Sequence, residues 1–263
     1  MVLLSANGFP PDIRVEKEAK ALSRAGHQVL VLTHSTPGDE RPVEWLASIG
    51  CTVVRIDSVF KTFSLRNLML KMLFAPSFYR RAVTDFINGH DIDALHPHDL
   101  YAVAPSLAAA RRLRSDRRVA VIADLHENMP AAERAYRAGK KSLKRLTSAV
   151  IQNYRWMRWR ESRLLRRCDR VIVVVQEAAE RLDNYGLAPG TVAIVSNTEG
   201  KATFDCELKP ADEWQAVGRR PQIVSYIGGV GPHRGLGTAI KGFARAHASN
   251  RELSLRIVGV RTE

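Results

Sequence analysis

Short apolar runs alternate with amphipathic stretches from the first residue of the chain. Residues 1–6 form a buried-strand pattern, and residues 29–32 form a second one. Between them, Val15, Ala19 and Leu22 recur at spacings of four and three residues, which predicts one apolar face of a helix. A strand, a helix and a second strand in this order predict a βαβ unit of a parallel, doubly wound sheet.

The same alternation continues through the next 160 residues. Further strands are predicted at 51–56, 92–95, 119–123, 170–175 and 192–195. Helices are predicted at 44–49, 101–113, 129–139, 142–167 and 177–185, and most of 61–88 also has helical periodicity. The pattern therefore predicts an α/β fold with a Rossmann-like N-terminal domain.

Periodicity is lost at residues 198–220, which read as a linker, and returns at residue 222. A strand at 223–227, a helix at 236–248 and a strand at 253–258 begin a second Rossmann-like domain. We predict an N-terminal domain at 1–199, a linker at 200–220 and an incomplete C-terminal domain at 221–263. Two strands and one helix cannot cover both faces of a parallel sheet, so we expect the chain to be C-terminally truncated.

Positive charge is concentrated in one segment of the chain. The net charge is +13, and residues 134–170 hold thirteen Lys and Arg against two acids. Such a segment suits an anionic partner, and its interleaved tryptophans are typical of a helix at a membrane surface. A core-packed helix with a solvated basic face is an equal alternative, and nucleic acid is the less favoured partner. The membrane-surface candidates are Lys140, Lys141, Lys144, Arg145, Trp156 and Trp159.

Cysteine usage and hydropathy favour a cytoplasmic protein. Cys51, Cys168 and Cys206 are far apart and fit no metal-site spacing, which indicates a reducing compartment. The sequence shows no signal peptide, and no apolar run approaches the length of a membrane span. We therefore expect any membrane contact to be peripheral, on the inner face.

Three polar loops follow predicted strands of the first domain. They contain Gly8, residues 96–99 and residues 124–128. Because carboxyl ends of parallel strands share one sheet edge, these loops are predicted to face a common crevice. His126, next to Glu127, could transfer protons or donate hydrogen bonds there. The alternative is that Asp124 and His126 only cap the following helix.

A glycine-rich loop at 228–235 connects the strand and helix of the second domain. Its glycines would let backbone N–H groups approach a phosphate at the helix N-terminus, and Arg234 could add a bidentate donor. The loop matches neither the dinucleotide nor the Walker A pattern. A plain tight turn is the alternative interpretation.

Several stretches together resemble a known family. They are PPDIRVEKEAKALSRAGHQVLVLT, DIDALHPHDL, ADLHE, RRCDRVIVVVQEAAERLDNYG, VAIVSNT and YIGGVGPHRGLGTAIKGFA. Their sequences and order resemble a family 4 glycosyltransferase, a retaining nucleotide-sugar enzyme of the two-Rossmann GT-B fold. The resemblance implies that the N-terminal domain binds the acceptor, the C-terminal domain binds the donor, and transfer takes place between them.

The resemblance also implies roles for acceptor-side residues. Gly8 matches the glycine loop at the cleft floor. His126 matches the histidine near the transferred sugar and is the implied catalytic residue. His98, Asp99 and Glu127 fall in the two neighbouring loops and are the implied acceptor or cleft residues.

On the donor side, the glycine loop supplies Gly229, Gly231 and Arg234. Arg234 stands where the family usually has the lysine of an Arg/Lys pair that holds the donor diphosphate. Gly229 stands at the arginine position, which is a departure from the family. Because such cations stabilise the leaving phosphate, the resemblance implies no metal and no cofactor, with the nucleotide sugar as a substrate.

The sequence therefore predicts a retaining glycosyltransferase that builds a polysaccharide or glycolipid from a nucleotide sugar and a glycan or lipid-linked acceptor. The family's Glu-x₇-Glu donor motif would lie beyond residue 258, so we expect the 263-residue chain to be inactive alone. One alternative is a non-catalytic module that binds acceptor or membrane. Another is a related two-Rossmann epimerase or phosphorylase.

Overall fold

A computed structural model describes residues 1–9, 12–34, 43–56, 77–113, 118–138, 153–198, 222–231 and 234–259. The chain divides into two compact units. The first comprises Met1–Ala132 and Ile151–Asn197, and the second comprises Glu133–Val150 and Thr198–Glu263. The predicted linker at 200–220 and the predicted helical segment 61–76 lie outside the described residues, as do Lys140, Lys141, Lys144 and Arg145.

The first unit is built around an eight-stranded sheet with the order β3-β4-β2-β1-β5-β6-β7-β8. All its neighbouring strands are parallel except β3, which pairs antiparallel with β4. The strands are β1 (Val2–Gly8), β2 (Leu30–His34), β3 (Val43–Leu46), β4 (Cys51–Ile56), β5 (Ala94–Pro97), β6 (Ala120–Leu125), β7 (Arg170–Val173) and β8 (Val192–Ile194).

Helices connect these strands. They are α1 (Ile13–Arg24), α2 (Ser77–Asn88), α3 (Leu100–Leu113), α4 (Met129–Ala138), α5 (Tyr154–Leu165) and α6 (Gln176–Leu182), which continues into a short 3₁₀ turn at Asp183–Tyr185. The predicted doubly wound, Rossmann-like architecture is therefore confirmed. None of the helices in the described ranges is long and apolar enough to cross a membrane.

The opening βαβ unit forms for the reasons visible in its sequence. Asp12 caps α1 by accepting a hydrogen bond from the backbone N–H of Arg14 at 3.1 Å. Val15 and Ala19 are buried, as their helical spacing predicts. β1 then pairs in parallel with β2, so that Val2, Leu3 and Leu4 lie fully buried in the centre of the sheet.

The predicted helix at 44–49 is wrong, because this segment forms strand β3 and a turn. Ile49 N–H and Gly50 N–H both donate to the carbonyl of Leu46, at 3.1 and 2.8 Å. Gly50 has a φ of +78°, which favours glycine and lets the chain reverse into β4. Glu44 then reaches the buried guanidinium of Arg55 at 2.8 Å, so pairing across β3 and β4 overrides local helix propensity.

Helix α5 is packed in the core on one face and exposed on the other. Met157, Leu164 and Leu165 are buried, whereas Trp156 and Trp159 are 36% and 44% exposed. The core-packed interpretation of this part of 142–167 is therefore correct for the buried face. The exposed tryptophans remain on the solvent side.

In the second unit, strand β9 (Gln222–Ile227) and strand β10 (Leu253–Val258) pair in parallel. Helix α7 (Leu236–Ser249) lies between them in the sequence. The strands are the ones that the sequence predicts. No residue of α7, which is described along its whole length, is buried. The apolar side chains of Val224 and Ile227 are 50% and 81% exposed.

A buried polar triad connects α5 to the end of α6. The carboxylate of Glu161 is fully buried and accepts hydrogen bonds from Arg181 at 2.6 and 3.0 Å and from the Tyr185 hydroxyl at 2.5 Å. Burial next to Glu161 raises the pKa of the Tyr185 hydroxyl, so it stays protonated as a donor. Among the described residues, Arg181 and Tyr185 are the hydrogen-bond partners of this carboxylate.

We expect Arg181→Met to destabilise the protein strongly, by about 3–5 kcal/mol, because it leaves a buried carboxylate without its cation. Urea unfolding followed by circular dichroism measures the change. Arg155→Met, at an exposed position of α5, is the matched control and should change the free energy of unfolding by less than about 0.5 kcal/mol. A double Glu161→Leu/Arg181→Met variant should recover much of the loss; equal effects of Arg181→Met and Arg155→Met would contradict this role.

Candidate functional site

The candidate site lies at the carboxyl ends of β1, β5 and β6. In the sheet, β1 pairs with β2 on one side and with β5 on the other, so the strand order reverses between β1 and β5. Such a switch point is where parallel α/β sheets bind ligands. His96 lies in β5, His98 follows it, and Asp124 lies in β6 with His126 just beyond.

Three histidines converge on the carboxylate of Asp124. Its Oδ2 lies 3.0 Å from Nε2 of His126, 3.2 Å from Nδ1 of His98 and 3.6 Å from Nε2 of His96. Asp124, His96 and His98 are all at least 95% buried. A charged carboxylate can be buried at this depth only if compensating groups surround it, and the imidazoles occupy those positions.

The three imidazole rings form a parallel stack. The rings of His96 and His98 are 5.0 Å apart and those of His98 and His126 are 5.4 Å apart, each pair inclined by only 4°. Nδ1 of His98 and Nε2 of His126 are 3.1 Å apart and share a hydrogen bond. The stack therefore couples the loop after β5 to the loop after β6.

Helix α1 contributes a fifth residue, Glu18, to this cluster, which comprises Glu18, His96, His98, Asp124 and His126. It follows Val15 by three residues and precedes Ala19, so it projects from the buried face of the helix. Its Oε2 lies 3.2 Å from Nε2 of His96 and 3.7 Å from Nε2 of His98. Burial, together with the neighbouring charge of Asp124, raises the pKa of Glu18 to about 9.

The two carboxyl groups of the cluster have pKa values shifted in opposite directions, upwards for Glu18 and downwards for Asp124. Burial by itself would raise the pKa of Asp124, but the adjacent His126, His96 and His98 outweigh it and hold that pKa well below its usual range. For His98, burial lowers the pKa, because it disfavours the charged imidazolium. For His126 the opposing attraction of Asp124 prevails over burial and raises the pKa. These shifts favour the charged forms of both Asp124 and His126, compared with the same side chains free in water.

Asp99 fixes the two loops relative to each other. Its N–H donates to the carbonyl of Asp124 at 2.8 Å, and its Oδ1 accepts from the N–H of His126 at 3.2 Å. The residue has a φ of +61° and is the one non-glycine residue in the described ranges with positive φ. Aspartate tolerates this left-handed conformation better than most residues, and such strain is often stored at functional sites.

The predicted acceptor-side residues are distributed as follows. His98, Asp99 and His126 meet at the cluster, while Glu127 is exposed beside it. Gly8 is the last residue of β1, opposite His34 of β2, and so ends at the same sheet edge.

The interpretation of Asp124 and His126 as helix caps is wrong. Helix α4 is capped by Asn128, whose Oδ1 accepts from the N–H of Ala131 at 3.3 Å. Asp124 and His126 instead point into the cluster, as their contacts with His98 show.

Sequence reasoning missed Glu18 and did not select His96 or Asp124 as site residues. A glutamate within the apolar stripe of α1, between Val15 and Leu22, was the available signal for Glu18. For His96, the signal was its position directly after the predicted buried strand at 92–95, where a polar side chain needs a partner.

In the second unit, a hydrogen bond and a close backbone contact support the glycine loop at 228–235. The hydroxyl of Tyr226 donates to the carbonyl of Gly229 at 2.8 Å, and a Cβ on Gly259 would overlap the carbonyl oxygen of Gly228. Gly231 accepts a hydrogen bond from the N–H of Arg234, whose side chain is exposed. Among the described residues of the loop, Arg234 thus lies exposed just before the start of α7.

The thiols in the described part of the chain are not poised for nucleophilic chemistry. Burial raises the pKa of Cys51 to about 11 and that of Cys168 to about 12. Both therefore remain protonated at neutral pH. Cys206 lies outside the described residues.

Comparisons with known proteins agree with this architecture. The sequence model of Glycosyltransferase Family 4 matches residues 13–198. A search of curated proteins found no significant match. Among solved structures, sucrose-phosphate synthase from Thermosynechococcus elongatus is similar, with 16% identity and a TM-score of 0.60 over 98% of this chain and 70% of its own.

Two further structures show the same fold. HepE from Anabaena, in complex with UDP and glucose, has 14% identity and a TM-score of 0.57 over 99% of this chain and 61% of its own. The catalytic domain of starch synthase IV from Arabidopsis thaliana, bound to ADP and acarbose, has 12% identity and a TM-score of 0.60 over 100% of this chain and 68% of its own. The chain thus spans about two thirds of these proteins.

The positive φ of Asp99 and its hydrogen bond to His126 predict that three substitutions at this position lower the free energy of unfolding by different amounts. Asp99→Asn keeps an acceptor oxygen and tolerates positive φ, so we expect little change in the free energy of unfolding. Asp99→Ala loses the hydrogen bond to His126 and adds backbone strain, which together should cost about 2–3 kcal/mol. Asp99→Gly should fall between them, because it relieves only the strain. Urea unfolding of the three variants measures the order, and a stable Ala variant would contradict it.

Proposed function

Because the chain belongs to Glycosyltransferase Family 4, we propose that the protein transfers a sugar from a nucleotide-sugar donor to a glycan or lipid-linked acceptor, with retention of anomeric configuration. The proposed biological task is synthesis of a polysaccharide or glycolipid. The observation that carries this proposal is the cluster of Glu18, His96, His98, Asp124 and His126 at the switch point of the sheet.

His126 is the proposed catalytic residue that contacts the transferred sugar. It lies at the end of β6, beside the carboxylate of Asp124 at 3.0 Å, and its raised pKa favours the protonated imidazole. A protonated imidazole can donate hydrogen bonds to sugar hydroxyls or to a leaving oxygen. The Nδ1 atom of His126 is buried and has no hydrogen-bond partner among the described residues, so its hydrogen-bonding capacity is unused there.

Asp99 and His98 are proposed to position His126. Asp99 accepts from the backbone N–H of His126, and His98 shares a hydrogen bond with its ring. Both interactions come from the loop after β5 and would restrict movement of the loop after β6. Gly8 and Glu127 are the proposed acceptor-side contacts at the same edge.

Donor binding is proposed for the glycine loop of the second unit. Gly229 and Gly231 have no side chains that would keep an anion away from the backbone before α7, and Arg234 offers a guanidinium suited to a diphosphate. HepE binds UDP and starch synthase IV binds ADP, which makes a nucleotide diphosphate sugar the natural donor class to test.

Peripheral association with the inner face of the cytoplasmic membrane is also proposed, through the exposed face of α5. Trp156 and Trp159 stack at 4.8 Å, and the guanidinium of Arg163 lies 5.1 Å from the Trp159 ring. Arg167 adds positive charge near Arg163. Paired tryptophans with arginines on a rigid helix are suited to an anionic interface.

The transfer proposal is tested by His126→Ala in the protein encoded by the complete reading frame. We expect at least about a 100-fold loss of transfer from a panel of labelled UDP-, ADP- and GDP-sugars, because a group that donates in the transition state is removed. His27→Ala, at an exposed histidine of the first unit, is the matched control. Unchanged transfer by folded His126→Ala protein would refute this role, and no transfer from any donor would refute the proposed activity.

The membrane proposal predicts binding to vesicles that contain anionic lipid and much weaker binding to neutral vesicles. A Trp156→Ser/Trp159→Ser variant should lose most of this binding in a flotation assay, because both apolar anchors are removed. Trp45→Ser is the control, since Trp45 is 63% exposed on edge strand β3. Equal flotation of the double variant and the control would rule out α5 as the contact.

A further inference from the structure

The same cluster contains several buried nitrogen and oxygen atoms that the described residues leave without a hydrogen-bond partner. Oε2 of Glu18, Nε2 of His96, Nε2 of His98 and both carboxylate oxygens of Asp124 are buried without a properly oriented hydrogen-bond partner in the described part of the chain. Buried polar atoms in proteins almost always have a partner. Several orphans that face one another at a single point indicate a ligand that accepts lone pairs.

The spacing of these atoms matches that of ligands around a small cation. One donor atom each from Glu18, His96, His98 and Asp124 all lie within 4.8 Å of one another. Oε2 of Glu18 lies 3.2 Å from Nε2 of His96 and 3.7 Å from Nε2 of His98, and Nε2 of His96 lies 3.6 Å from Oδ2 of Asp124. Four ligands at zinc-like bond lengths around a tetrahedral centre are roughly 3.3–3.5 Å apart.

We infer that Glu18, His96, His98 and Asp124 form a binding site for a first-row transition-metal dication, with Zn²⁺ the best-fitting ion. Two imidazole nitrogens and two carboxylate oxygens suit Zn²⁺ and its neighbours, whereas Mg²⁺ and Ca²⁺ prefer sites made entirely of oxygen. The dication would also compensate the charges of both carboxylates.

The bound ion would join three separate parts of the first unit. Its ligands come from α1, from β5 with its following loop, and from β6. The sheet edge at the switch point would therefore be fixed at one point. His126 stays outside the ligand set but contacts two of the ligands, at 3.0 Å from Asp124 and 3.1 Å from His98, so the metal would restrict its ring orientation.

The test uses the whole 263-residue chain, freed of metal by chelator and dialysis. Isothermal titration calorimetry with Zn²⁺, and separately with Mg²⁺, should show one saturable Zn²⁺ site and no comparable Mg²⁺ site. Zn²⁺ should also raise Tm, because it binds only the folded cluster. Co²⁺ should give the visible absorption of a tetrahedral site without a thiolate charge-transfer band, which excludes the cysteines as ligands.

Glu18→Gln and His98→Ala each remove one ligand and should weaken Zn²⁺ binding by about tenfold or more. His27→Ala is the matched control and should bind like the unaltered chain, since His27 is exposed outside the cluster. Glu18→Gln is isosteric, so it keeps the test valid if His98→Ala fails to fold. Absence of saturable binding, or unchanged affinity in folded Glu18→Gln protein, would overturn the inference. Metal binding is measured directly, so this result is independent of the transferase assays.

Discussion

The buried carboxylate of Asp124 is the interaction on which the organisation of the first unit depends. A charge at this depth requires partners, and they come from histidines on two neighbouring strand ends. Because those strands are parallel, their ends lie at one edge, and the requirement to compensate one charge draws both loops together. Asp99 then fixes the loops through its left-handed backbone and its contact with His126. The core below the site is ordinary aliphatic packing, with Leu4, Leu95 and Val121 buried under these strand ends.

The site and the family match refer to the same part of the chain. The Glycosyltransferase Family 4 model covers residues 13–198, and all five residues of the cluster lie within that range. The three solved structures described above are 12–16% identical to this chain, so they establish architecture alone. His126, next to the carboxylate of Asp124 and with its Nδ1 atom unpaired among the described residues, is the group that we propose contacts the sugar.

Helix α5 shows how one element can serve the core and the surface at once. Its inner face carries Glu161, which is held by Arg181 and Tyr185, and this buried triad limits rotation of the helix. Its outer face can then present two stacked tryptophans in fixed orientation. An exposed aromatic pair on a rigid helix loses little conformational entropy when it binds a surface. The buried polar triad and the exposed tryptophan pair therefore lie on opposite faces of the same helix.

The sequence by itself determined the parallel α/β architecture, because buried strands and amphipathic helices have different apolar periods that can be read locally. Strands β4 and β10 begin and end at the predicted residues. Only the tertiary structure decided β3, since pairing with β4 and the Glu44–Arg55 contact prevail over helix propensity. The tertiary structure also decided the site. The sequence predicted that the loops after β1, β5 and β6 share one sheet edge, but Glu18 and Asp124 are 106 residues apart, and no local pattern reports that these two carboxyl groups meet. Their proximity follows from the reversal of strand order between β1 and β5, which is a property of the assembled sheet.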